Sequence, residues 1–229
     1  MTWRDYWNQD TPIYLNDRHK DVHYRSIATG IAALVPGPQA RVLDFGSGEA
    51  LHADIVAARC GHLYLADSAD LVRRRVAARF GGDGKVTVMA PEEVAGLPDG
   101  SLDFIIVNSV VQYLSGEELD RLLALFRAKL DPGGRLLFAD IIPPDVGPLT
   151  DAAALLRLAA RNGFFVAALF GLVRTFFSDY RKVRSQLGLA HYSEADFLGR
   201  LEGAGYRASR HRPNLGHNQA RMAFLATPR

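Results

Sequence analysis

Two glycines one residue apart close a short apolar run that ends in a carboxylate, in Arg41-Val42-Leu43-Asp44-Phe45-Gly46-Ser47-Gly48-Glu49-Ala50. Glycine at both places permits a tight turn and leaves no Cβ between the backbone and a ligand. A helix-forming sequence follows, so the turn should also carry the open N–H groups of a helix start. Strand, glycine turn and helix in this order make a cradle for a nucleotide or a nucleoside. A dinucleotide cradle asks for G-x-G-x-x-G, and the third place here is Leu51. A P-loop asks for Gly-Lys-Ser/Thr, and no Lys follows Gly48. Paired glycines also occur in strand–helix turns for structural reasons alone. A second carboxylate, Asp67, stands roughly twenty residues on, where it can accept both ribose hydroxyls.

Positioning these residues takes a sheet. Apolar runs rich in Val, Ile, Leu and Phe read as buried parallel strands at Arg41–Phe45, His62–Ala66, Lys85–Met89, Asp103–Val107 and Gly134–Ile141. Helical patterns separate them near Ala50–Arg59, Ala69–Phe80 and Glu117–Lys129. The third opens on Ser115-Gly116-Glu117-Glu118, a capping box, and stops at Pro132-Gly133-Gly134. Such alternation gives right-handed crossovers. Later, Ser193-Glu194-Ala195-Asp196 starts another helix that Gly203-Ala204-Gly205 closes. The runs Tyr206–Arg210 and Met222–Thr227 then pair antiparallel at a sheet edge, across the polar segment Pro213–Gln219.

Two further segments sharpen the reading: Leu97-Pro98-Asp99-Gly100-Ser101-Leu102-Asp103-Phe104-Ile105-Ile106-Val107-Asn108-Ser109, and Leu130-Asp131-Pro132-Gly133-Gly134-Arg135-Leu136-Leu137-Phe138-Ala139-Asp140. With the glycine turn and Asp67 they form four linked motifs in order. The chain resembles the class I S-adenosylmethionine-dependent methyltransferases, nearest the small-molecule branch that includes quinone-biosynthesis C-methyltransferases. The resemblance covers about Gln39 to Ile141, and more loosely Tyr192 to the end.

It implies a Rossmann-like α/β fold: a seven-stranded, mostly parallel sheet with an antiparallel last strand, helices on both faces and a helical insertion after strand 5. It also implies S-adenosyl-L-methionine as cofactor. Gly46, Ser47 and Gly48 would lie under its methionine and ribose portions, and Asp44 would anchor the loop or the amino group. Asp67, with Ser68 beside it, would hold the ribose, and the Asn108-Ser109 backbone would line the sulfonium end. The family often sets an Asp against adenine after the third strand; this chain has Met89-Ala90-Pro91-Glu92-Glu93. Glu92 substitutes, or backbone alone holds the ring, while Glu93 also suits a helix-start charge. Ala50 replaces a frequent further glycine.

Methyl transfer is an in-line displacement needing alignment, plus a base where the acceptor is acidic. Candidates at the carboxyl edge of the sheet are Tyr113, Asp140 and His23, with Gln112, His19, Tyr24, His191 and Tyr192 behind them. His19 and His23 are i, i+4, but no third ligand suggests a metal. Asn108-Ser109-Val110-Val111 stands where amino-methylating nucleic-acid enzymes carry Asn/Asp-Pro-Pro-Tyr/Phe, so no nucleic-acid partner is expected. A small-molecule acceptor fits better. The competing class is a non-catalytic, methyltransferase-like binding subunit.

The 229 residues suit one domain, divided into an N-terminal cap (1–38), a cofactor-binding core (39–142), a helical insertion or lid (143–190) and a C-terminal helix with a strand pair (191–229). A net charge of +2 argues for no polyanionic partner. The single cysteine, Cys60, excludes an internal disulfide and a cysteine zinc site. Met1 to Asp10 has no apolar core, so a cytoplasmic location is expected. Inside the insertion, Gly163-Phe164-Phe165-Val166-Ala167-Ala168-Leu169-Phe170-Gly171-Leu172-Val173 is uncharged, followed by Phe176-Phe177 and by Arg174, Arg181, Lys182 and Arg184. Three readings compete for 163–184: a cap on the cleft, a greasy lid over an apolar substrate, and an interfacial helix in peripheral contact with a membrane.

Overall fold

The computed structural model describes residues 14–176 and 188–229. Phe177, Arg181, Lys182 and Arg184 lie outside the described residues. Helix α1 (Asp17–Leu34) opens on Asn16, whose side chain accepts from the His19 N–H at 2.8 Å. Strands and helices then alternate: β1 (Arg41–Phe45), α2 (Ala53–Ala57), β2 (His62–Ala66), α3 (Asp70–Phe80), β3 (Val86–Met89), β4 (Leu102–Asn108), α4 (Gly116–Lys129) and β5 (Leu130–Ile141). The insertion folds as α5 (Pro148–Asn162) and α6 (Phe165–Phe176), which turn on Gly163. Helix α7 (Glu194–Gly203) leads into β6 (Tyr206–His211) and β7 (Met222–Pro228).

The seven strands lie in the order β3-β2-β1-β4-β5-β7-β6. Neighbours are parallel except around β7, which runs antiparallel to both β5 and β6. The expected fold is therefore the observed one. Side chains alternate between two cores, as strand geometry requires. Leu43, Phe45, Ile105, Val107 and Phe138 pack under α4 and α7, whereas Val42, Phe104, Ile106 and Leu137 pack under α1, α2 and α3. Both expected caps form. Ser115 accepts from Glu118 N–H while the Glu118 carboxylate accepts from Ser115 N–H, and Ser193 accepts from Asp196 N–H.

Two boundaries differ from expectation. The helix after the glycine turn is only Ala53–Ala57, because Ala50 adopts φ +43° and the chain makes a further turn before the helix starts. Strand β5 begins at Leu130, not Gly134: Leu130 pairs with Leu102 across a bulge that absorbs Pro-Gly-Gly. The arginines of β6 lie on an edge strand, where charge discourages strand-to-strand association.

The insertion keeps one face covered. Phe164 and Ala168 are buried with Ala159, with Leu15 and leucines of α5 packed against them. Its other face, Phe165, Val166, Leu169 and Phe170, is exposed, Phe170 to 71%. Among the described residues, no helix is long and apolar enough to cross a membrane.

Candidate active site

Strain marks the carboxyl edge of the sheet. Among the described residues, three that are not glycine have a left-handed φ: Ala50 after β1, Ser109 after β4 and Asp140 near the end of β5. Such conformations cost of order 1–3 kcal/mol each and persist where the surroundings over-determine them. Gly46 and Gly48 share the region, at φ +80° and +56°. A Cβ on Gly46 would fall 2.2 Å from Val110 Cγ2, and one on Gly48 would fall 2.7 Å from the Tyr24 hydroxyl. Both glycines are thus required by conformation and by space. The short α2 begins too late to present its N-terminus to a ligand, so the loop's own backbone forms the cradle.

Asp67 ties that cradle together. One carboxylate oxygen accepts from Gly48 N–H at 2.9 Å and the other from Ala69 N–H at 2.8 Å, while the backbone N–H groups of Gly46 and Ser47 reach Ala66 carbonyl. Each oxygen keeps a lone pair for a ribose hydroxyl. Burial raises the Asp67 carboxyl above its usual range, while these two N–H groups pull it back down. Burial, helped by the Asp67 charge, pushes Asp44 up to about 7. Ser68 and Glu92 are exposed. The Glu93 side chain accepts from Ala90 N–H at 2.6 Å and so caps the turn Pro91–Gly96, the structural role open to it from sequence.

On the β4 side, the Asn108 amide donates to Ser109 Oγ at 3.2 Å, and the Ser109 hydroxyl donates to Asp140 at 2.8 Å. Arg221 of the β6–β7 connection donates to Asp140 at 2.7 Å and forks onto Asp151 of α5 through two bonds of 3.1 and 2.9 Å. Asn214 adds a bond from Asp140 N–H at 2.9 Å. Asp140 is therefore held as the counter-ion of Arg221. Two buried oxygens, Asn108 Oδ1 and Gln112 Oε1, have no hydrogen-bond partner among the described residues. A buried unsatisfied acceptor costs about 1–3 kcal/mol, which a bound polar ligand recovers. The glycine cradle and these acceptors fit a nucleoside carrying an amino-acid tail.

Side chains from distant segments roof this edge. The Tyr24 hydroxyl accepts from Glu49 N–H at 3.0 Å, seating α1 on the glycine loop. His23 packs edge-on to Tyr24, with centroids 5.5 Å apart, and His217 of the β6–β7 connection lies 6.3 Å from His23. His19 stacks on Phe164 at 5.3 Å, and Tyr14 contacts His19, His23 and Tyr24. Burial raises the Tyr14 phenol well above its ordinary value, with smaller contributions from Tyr24, Glu49 and Tyr113. Tyr113 thus lies near the same group of rings. Burial lowers His19 to about 4 and His23 to about 3, and also lowers His217. No cluster of three metal-binding side chains occurs among the described residues.

His191 is exposed, and Tyr192 packs on Phe197 in the α7 core, so neither joins the rings gathered around His23. Sequence reasoning missed His217, Asn214 and Arg221. His217 and Asn214 lie in Pro213–Gln219, read only as a polar turn, and Arg221 just beyond it; Gly216-His217-Asn218 carries no periodicity that would place it beside residues 19–24.

Residues 43–138 match a family model described as a methyltransferase domain. The DhpI–S-adenosylhomocysteine complex shares the fold at TM-score 0.61 and 14% identity, covering 98% of this chain and 94% of that one. An S-adenosylmethionine-dependent methyltransferase of Leishmania major aligns at TM-score 0.60 and 12% identity, over 98% and 80% of the two chains. Another from Mesorhizobium loti aligns at 0.55 and 16%, over 86% and 94%. No curated protein matches. The fold is widely shared, with 1138 matching solved chains, so it selects no acceptor. Residues 43–138 are thus similar to a methyltransferase domain, and the chain shares the fold of S-adenosylmethionine-dependent methyltransferases.

Proposed function

We propose that the chain moves a methyl group from S-adenosylmethionine to a small acceptor of apolar or lipid-like character. The observation that carries this reading is the meeting, at one sheet edge, of the Gly46–Gly48 cradle, Asp67 and the unpartnered oxygens of Asn108 and Gln112. When bound, the cofactor supplies an electrophilic methyl group on a sulfonium. The chain's part is to hold it, align the acceptor in line and exclude water. Gly46, Ser47 and Gly48 approach the ligand with bare backbone, Asp67 accepts from the ribose, and Asp44 faces the amino-acid end. Asn108 and Ser109 would border the sulfonium.

The aromatic roof supports the apolar acceptor. The exposed side of α6 extends that argument to a peripheral membrane contact. Phe165, Val166, Leu169 and Phe170 form one apolar helix face, with exposed Arg157 and Arg161 on the neighbouring helix. Apolar residues flanked by arginine suit the headgroup region of an anionic bilayer. Flotation with anionic vesicles tests this: changing Phe165 and Phe170 to Ser should release the protein, and unchanged flotation removes the membrane contact.

Calorimetry with S-adenosylmethionine and S-adenosylhomocysteine tests the main reading. Both should bind at one site, and failure of both overturns it. Binding without transfer to any acceptor would instead fit a non-catalytic subunit.

A further inference from the structure

The rings packed above the glycine loop include three imidazoles from two segments far apart in sequence, and their arrangement bears on the acceptor. We propose that His217 is the general base of the reaction and that the acceptor is a phenolic or enolic hydroxyl on a planar ring, seated among His23, Tyr14, Tyr24 and Phe164. This rests on the methyltransferase reading above.

Three observations carry it. First, the walls are aromatic: Tyr14 touches Tyr24, His19 and His23, and Phe164 stacks on His19. Flat rings gain both area and favourable geometry against such walls. Second, three carboxylates near these rings are each engaged by a cation, with which an ammonium acceptor would have to compete. Asp140 and Asp151 are both bonded to Arg221, and Glu49 is paired with Lys20 at 2.6 Å. Third, the three histidines are not equivalent. His19 accepts from Leu15 N–H through Nδ1 at 3.3 Å, which fixes it as a wall residue. His23 is sandwiched between His19, Tyr24 and His217. His217 follows Gly216, where a Cβ would fall 3.1 Å from Asp140 Oδ1, and so stands beside the Asp140–Arg221–Asp151 group, two carboxylates against one guanidinium, which leaves one net negative charge there.

That charge sets the basicity. Burial lowers all three imidazoles. Asp140 and Asp151 pull His217 back up, against Arg221, while among the described residues no carboxylate does the same for His19 or His23. His217 is also only partly buried, so the proton it takes can leave to water. A neutral imidazole suits a phenol; it is far too weak for an alkyl alcohol, and an uncharged amine needs no base to attack.

The step balances simply. The acceptor O–H breaks with its proton going to a ring nitrogen of His217, and the oxygen forms a bond to the methyl carbon. The carbon–sulfur bond of the sulfonium donor breaks with its electron pair on sulfur, giving a neutral thioether. His217 then returns its proton to water.

The test compares the full-length wild type with His217→Gln, using phenol, 4-nitrophenol and 2-phenylethylamine as probes. S-adenosylhomocysteine affinity by calorimetry comes first. If the wild type fails to bind it, the methyltransferase reading falls. If both proteins bind it within about threefold, the fold and cradle are intact and the rest concerns the acceptor alone. With tritiated methyl donor, transfer to phenol should drop at least about 100-fold in His217→Gln, the usual range for losing a general base. Transfer to the more acidic 4-nitrophenol, which ionises unaided, should drop less than about tenfold. An equal loss for both phenols would make His217 a packing residue and overturn the proposal. So would no transfer to either phenol, or faster transfer to the amine. A His217→Gln protein that no longer binds S-adenosylhomocysteine would overturn it too, placing His217 in the donor site.

Discussion

The glycine loop proposed to receive the cofactor and the roof proposed to face the acceptor are built differently. The cradle is backbone: a tight loop at Gly46–Gly48, held by Asp67 through two N–H bonds and by the Ala66 carbonyl. Its parts lie within one strand–helix–strand unit. The roof is side chain, drawn from α1, the α5–α6 turn and the β6–β7 connection, and it is held by packed rings and one buried ionic group. A backbone cradle suits a cofactor that never changes. A side-chain roof can be rebuilt by substitution, so the acceptor is free to vary between chains that share the cradle.

Breaking the roof's ionic group should cost most. Arg221→Met removes the cation that buried Asp140 shares with Asp151, a loss of about 3–5 kcal/mol. Urea unfolding measures it, and a loss under 1 kcal/mol would mean the group is not structural. In the cradle, Gly46→Ala forces a Cβ onto Val110 at a positive φ, costing about 1–3 kcal/mol of stability by melting. It should also weaken S-adenosylhomocysteine binding at least about tenfold. Asp67→Ala should leave the roof intact yet cost about 1–3 kcal/mol of cofactor affinity by calorimetry, from ribose hydroxyls left unpaired.

Acid separates the two regions again. In the folded chain His19 and His23 titrate near 4 and 3, below the unfolded value of 6.5. Above 6.5 both states are neutral there and nothing is lost. As pH falls below 6.5 the unfolded chain takes protons that the folded one refuses, and stability drops toward pH 4 and 3. Asp44 in the cradle works the other way: raised to about 7 from 3.8, it gains stability as pH falls through that window. His23→Gln should therefore lose about 1–2 kcal/mol less than wild type between pH 7.5 and 5, read by urea unfolding. Equal losses would mean that His23 is solvated. The smallest change is Ala50→Gly, which relieves a left-handed alanine and should raise stability by about 0.5–1 kcal/mol.

Much of the cradle was legible in the chain itself, because its signals are local. Gly46 and Gly48 follow an apolar strand directly, Asp67 ends the next, and Ser115 and Glu118 cap a helix within four residues of each other. The sheet could be read the same way, down to the antiparallel β7. Legibility ended where local and tertiary forces differ. The strained Ala50 shortened the expected helix to Ala53–Ala57, and pairing with Leu102 pulled Leu130 into β5.

The sequence by itself determined the glycine loop and the strand ends around it, since turn geometry and strand ends depend on neighbouring residues and their periodicity. Only the tertiary structure decided what faces it. His217 reaches His23, and Arg221 reaches both Asp140 and Asp151, because β7 inserts between β5 and β6 and carries the connecting loop back over the sheet edge. Contacts across nearly two hundred residues leave no periodic trace. They exist because burial of two cores fixes the strand order, and the roof follows from it.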